Sequence, residues 1–118
     1  MQRVNQAIYQ KLRQILPEQV KIYPVIADED AKLPLCVYNG VSFNTDTSKD
    51  GIEEYQFSYT VQLWTVTFDE CDELATIVTE KMNGIIGEKI EAILSSGSSG
   101  YDNGAFFQEL SFNVVLNV

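Results

Sequence analysis

The strongest nucleophiles in this sequence are two thiols, Cys36 and Cys71, and neither has a histidine to activate it, because the chain contains none. That absence removes the commonest general base, the Ser-His and Cys-His pairs and every histidine-containing metal site. Cys71 falls in the first turn of a helix suggested by the sequence pattern, where the helix dipole favours a reactive thiolate. It also falls on that helix's apolar stripe, which favours a buried structural thiol instead. Two cysteines suit neither a disulfide scaffold nor a four-ligand zinc site, so both are expected to be reduced. Asp28, Glu29, Asp30, Asp46 and Asp50 could hold a hard cation, but none has the spacing of a calcium loop, so they read as solvated loop charge. No Gly-x-Gly-x-x-Gly or Gly-x-x-x-x-Gly-Lys pattern is present to cradle a phosphate. The residues thus predict no catalytic set, no metal and no cofactor.

Charge narrows the partners further. The net charge is -9, with eight basic residues scattered along the chain. Binding to nucleic acid by counterion release needs clustered Lys and Arg, and an anionic membrane would repel such a surface. No apolar run is long enough to span a bilayer, and Met1 to Leu16 lacks a signal-peptide core, which predicts a protein that is cytosolic where it is made. With 118 residues, 45% of them hydrophobic, a single domain over 1–118 is expected, burying about two thirds of its unfolded surface.

The elements that would position these residues follow from periodicity. Val4, Ile8, Leu12 and Ile15 predict an amphipathic helix over Asn5 to Leu16, ended by Pro17. Val20, Ile22 and Tyr23 suggest a short edge strand stopping near Pro24, and Leu35 to Tyr38 a strand covered on both faces. Asn39-Gly40 is read as a bulge within that continuing strand. The apolar-free segment Asn44 to Gly51 reads as a loop, and Tyr55 to Val66 as a long strand with Tyr55, Phe57, Tyr59, Val61 and Leu63 on the core side. Thr67 and Glu70 have capping-box spacing before a helix over Glu70 to Asn83, closed by Gly84. This helix is expected on the odd-numbered face of the preceding strand. Ile85 to Leu94 fits either a helical turn or a short strand, with its second half read as strand. Ser95 to Gly104 reads as a flexible Ser/Gly loop, and Phe106 to Val118 as a strong final strand. The expected fold is a two-layer α+β domain, with a mostly antiparallel four- to five-stranded sheet and two helices on one face.

The alternation changes after Leu63. Trp64, Val66 and Phe68 fall on the face that had been polar, so either a bulge swaps the faces or the second face is covered there. The domain's own loops could cover it, or another subunit could. Trp64, Val66 and Phe68 are therefore a candidate subunit interface. The two polar segments, with Asp46, Lys49, Asp50, Ser98 and Tyr101, are candidate mobile assembly loops that could order on association.

The arrangement resembles the tail-completion, or tail-terminator, proteins of long-tailed phages and prophages. The resemblance rests on the N-terminal helix and Ile22-Tyr23-Pro24, leading to Leu33-Pro34-Leu35-Cys36-Val37-Tyr38. It continues through Tyr59-Thr60-Val61-Gln62-Leu63-Trp64-Thr65, the helix carrying Leu74-Ala75 and Val78, and the closing Leu110-Ser111-Phe112-Asn113-Val114. It covers nearly the whole chain, while the Ser/Gly loop is longer and plainer than the family pattern. The resemblance implies a structural protein that forms a ring, typically a hexamer, on the head-proximal end of the tail tube. Its partners would be itself, the tail tube protein and a head-neck protein, in the host cytoplasm during assembly and in the virion afterwards. Acidity is compatible with a ring through which DNA slides, since carboxylates repel the phosphate backbone. Another neck or head-closure component would share these features, and a small-molecule binding module is a further alternative.

Overall fold

The structure, a computed structural model, describes residues 2–49 and 51–118. The first helix, α1 (Gln2–Ile15), buries Val4, Ala7, Ile8 and Leu12, the i, i+3, i+4, i+8 spacing of one apolar stripe. Its last carbonyls lack intrahelical partners, and Arg13 supplies donors for the turn that follows. The guanidinium donates to the carbonyls of Pro17 at 2.5 Å, Val20 at 2.8 Å and Leu16 at 3.4 Å. The second helix, α2 (Phe68–Lys81), opens on Thr67, whose hydroxyl accepts from the Glu70 N–H at 3.2 Å, and Asp69 and Glu70 lie in its first turn. It starts two residues earlier than Glu70 and ends before Asn83. Gly84, at φ +116, turns the chain out of the helix.

Six strands are present among the described residues: β1 (Lys21–Pro24), β2 (Leu35–Ser48), β3 (Gly51–Thr65), β4 (Gly84–Gly87), β5 (Ile90–Asp102) and β6 (Ala105–Asn117). They form one mixed sheet in the order β1-β2-β3-β6-β5-β4. The β1–β2 pair is parallel and the others are antiparallel. Both helices pack on one face of the sheet. There Val4, Ile8 and Leu12 of α1 and Leu74, Ala75 and Val78 of α2 meet Phe57, Tyr59, Val61 and Leu63 of β3, together with Leu110, Phe112 and Val114 of β6. Each fully buried side chain in this set contributes about 1.5–3 kcal/mol relative to exposure.

The α+β class, the two helices on one face and the odd-numbered core side of β3 agree with the sequence pattern. The bulge also falls where Asn39-Gly40 placed it, since the β2–β3 register shifts between Gly40 and Ser42. Tyr59 explains the glycine: its ring lies over Gly40, so a Cβ there would sit 3.1 Å from Cζ.

Several expectations are corrected. The sheet has six strands, not four or five. Asn44 to Ser48 is not loop but the end of β2, paired with Gly51 to Gln56, so that β2 and β3 form a long hairpin arm. Asp46 lies in that strand and Lys49 in the turn, while Asp50 is outside the described residues. Ser95 to Asp102 is likewise strand, pairing with Ala105 to Ser111, which places Ser98 and Tyr101 in β5. The turn shrinks to Asn103-Gly104, both with positive φ (48 and 82), as a type I′ hairpin requires. Both halves of Ile85 to Leu94 contribute strand, as parts of β4 and β5. The sheet recruits these apolar-poor segments because a neighbouring strand already offers a row of backbone partners, and an unmade hydrogen bond costs more than weak β propensity.

Candidate assembly surfaces

The Trp64 to Phe68 segment does not form one surface. The β3–β6 register runs unbroken from Glu54 to Thr65, so no bulge swaps the faces. Thr65 simply occupies a core position, fully buried, with its hydroxyl donating to the Thr67 carbonyl at 2.6 Å. Trp64 therefore stays on the helix-free face, half-buried, against Phe107 of β6 with ring centroids 4.7 Å apart. Its indole N–H donates to the Gln62 side chain at 3.2 Å, and Gln62 in turn donates to Glu109 at 2.8 Å. The β1–β2 connection borders this end of the face. Val25, Ala27 and Leu33 line a groove with Val37 and Trp64, and Leu35 and Val37 are buried.

Val66 lies past the end of β3 and is 61% exposed. Phe68, 58% exposed, begins α2 and turns to the opposite, helix-bearing face. There it meets Phe106 edge-on at 6.1 Å, and Phe106 meets Tyr101 at 4.8 Å. Tyr101, 62% exposed, stands directly across from Phe106 in the β5–β6 hairpin. Two residues proposed for different roles, Phe68 and Tyr101, are thus brought onto one aromatic patch, and Trp64 is excluded from it. Beside the patch is a shallow groove of about 250 Å³. Phe106 and Phe107 were the missing partners. The Asn103-Gly104 turn signals their pairing, since a two-residue hairpin places Tyr101 opposite Phe106 and Gly100 opposite Phe107.

A second apolar patch lies at the other end of the strands. On the hairpin arm Val41 is 62% exposed, Phe43 is 48% exposed and Ile52 is also exposed. Phe43 packs on Phe57 at 6.0 Å, and Phe57 touches both Tyr55 and Tyr59. The Tyr59 hydroxyl donates to Asn5 of α1, which ties the base of the arm to the helix layer.

Both thiols are free and buried. Burial pushes the Cys36 thiol up to about 12 despite the nearby Arg13 charge. Burial also raises Cys71, whose Sγ lies 3.5 Å from the Leu63 carbonyl. Among the described residues no group of three His, Cys, Asp or Glu side chains is placed to hold a metal ion. No described helix is long and apolar enough to cross a membrane.

No protein-family model matches the chain, and no curated protein matches it. The surfaces themselves must carry the functional reading. They consist of two unlike apolar patches separated along strands of up to fifteen residues, on a molecule measuring 52 × 27 × 24 Å.

Proposed function

We infer that this chain is a structural phage or prophage subunit that assembles head-to-tail into a ring at the head-proximal end of a tail tube, and that it is not an enzyme. The observation that carries the reading is the pair of unlike exposed patches. Phe68, Tyr101 and Phe106 lie at one end of the strands, and Val41, Phe43 and Ile52 lie at the other. A heterologous contact needs two different surfaces on each copy, and it closes into a ring when the rotation permits. The resemblance to tail-completion proteins supplies the tail, and the net charge of -9 suits a lumen that must not grip DNA. The ring's partners would be further copies of itself, the tail tube protein and a head-neck protein.

The test is light scattering and negative-stain imaging of the protein alone and with terminator-free tail tubes. Rings, or tubes ending in a discrete cap, are expected. A monomer that ignores tube ends at every concentration would refute the reading.

A further inference from the structure

Among the described residues the sheet has two long strand edges that no other strand pairs. Four-residue β1 covers only Leu35 to Tyr38 of β2, which leaves the edge from Asn39 to Ser48 open. On the far side β4 pairs with β5 only from Ile90 to Ala92, and the Asn83 side chain accepts from the next outward amide, Leu94, at 3.0 Å. From Ser95 to Asp102 the β5 edge has no strand beside it among the described residues. Open edges are normally blunted by Lys, Pro or inward charges, because a bare row of N–H and C=O groups recruits another strand. Neither edge here carries Lys or Pro. In a chain with eight basic and 17 acidic residues, the only charges on these two segments are Asp46 and Asp102.

The edges are also matched to each other. β2 and β5 run antiparallel within the sheet, so copies related by a rotation would bring the β2 edge of one beside the β5 edge of the next in antiparallel register. Centring the two open segments places Asn44 opposite Ser98 and Phe43 opposite Ser99. This pairing keeps the faces consistent. Asn44 and Ser98 both lie on the helix-free face, aligned through Gln56 and Glu109. Phe43 and Ser99 both lie on the helix-bearing face, through Phe57 and Gln108. The small residues Gly97 and Ser99 leave room for Phe43, which would reach Tyr101 diagonally and merge the two exposed apolar patches.

Stagger gives a further check. Asn44 is aligned with Gln56 of β3, whereas Ser98 is aligned, through Glu109, with Gln62. Only β2, β3, β6 and β5 lie between successive joints, so each copy shifts the sheet by about six residues per four strands, or about 20 Å over about 19 Å, a strand tilt of about 46°. Closed β-barrels use tilts of 35–45°.

We propose that successive copies of this chain join by adding the open β2 edge, Asn39 to Ser48, to the open β5 edge, Ser95 to Asp102, of the next copy, forming one continuous sheet around the ring. The joint sharpens the ring reading and rests on it only for closure. The test is a bis-maleimide crosslinker applied to a chain carrying both Asn44→Cys and Ser98→Cys, the native thiols being buried. A ladder of dimer, trimer and higher species is expected from the double variant, no crosslinking from either single variant, and dimer alone from an equimolar mixture of the two. A single variant that crosslinks to itself, or a double variant that stays monomeric at high concentration, overturns the joint. Ser98→Lys should weaken association at least tenfold while the melting curve of the dilute, unassociated chain stays unchanged, and unchanged association would also count against the joint. Capped tubes without a ladder would refute the joint and keep the tail reading. A ladder with tubes ignored would do the reverse.

Discussion

Gly100 offers a sharp test of the packing that holds the β5–β6 hairpin. A Cβ at this position would lie 2.7 Å from Cζ and 2.8 Å from Cε1 of Phe107. That ring also stacks on Trp64 at 4.7 Å, so it cannot withdraw without disturbing the stack. Overpacking of this kind costs about 1–3 kcal/mol, while removing glycine from a strand interior returns about 0.5–1 kcal/mol. Gly100→Ala is therefore expected to destabilise by about 0.5–2 kcal/mol, read as a lower urea midpoint at unchanged slope. Phe107→Ala should cost about 0.5–1.5 kcal/mol from the lost aromatic pair plus its buried area. In the double variant the methyl no longer meets the ring, so the two effects should fall short of additive by at least 1 kcal/mol. Gly97→Ala is the control. Its nearest clash is a single terminal methyl of Leu110 at 3.1 Å, so it should stay within about 0.5 kcal/mol of the parent. A Gly100→Ala chain as stable as the parent, or an additive double variant, would refute the argument.

Other substitutions probe the elements that frame the surfaces. Arg13→Ala removes the donors to three carbonyls after α1 and should cost about 1.5–3 kcal/mol by denaturation, with Lys recovering only part because it lacks the forked geometry. Thr67→Ala removes the cap of α2 and should cost about 1 kcal/mol, whereas Thr67→Ser should be close to neutral. Because burial raises the folded Cys36 thiol from 9.0 to about 12, the unfolded chain loses that proton first as pH rises. The contribution is intact below pH 9 and is lost progressively between pH 9 and about 12. The parent's stability should fall through that window more steeply than that of Cys36→Ala, and parallel pH profiles would contradict the assignment. Both thiols should resist a thiol reagent at pH 8 in the native protein and react fully in denaturant, as shown by absorbance titration.

The parts of the fold that periodicity reveals are those with a buried face. Tyr55 to Leu63 alternates, and Cys71, Leu74, Ala75 and Val78 repeat at helical spacing, because one side of each meets the core. Ser95 to Tyr101 gives no such signal. Its side chains are mostly exposed Ser and Gly, and it becomes strand through backbone pairing to β6, with a register set by the Asn103-Gly104 turn. Asn44 to Ser48 is strand for the same reason, paired along the arm to β3. The parallel β1–β2 pair is equally silent in the sequence, since parallel pairing comes from how the chain crosses over rather than from local pattern. Trp64 and Phe68 share a spacing but not a surface, because β3 ends at Thr65 and the turn into α2 reverses the side of the sheet that Phe68 faces. Tyr101, hidden in a segment that resembles a linker, completes the patch that Phe68 begins.

Ring formation by this chain requires head-to-tail self-association. The most direct measurement is negative-stain imaging of the purified chain mixed with terminator-free tail tubes, beside light scattering of the chain alone. Closed rings of one size, or tube ends bearing a discrete cap, are expected. Two-fold dimers that grow no further, or a monomer indifferent to tube ends, would contradict head-to-tail assembly.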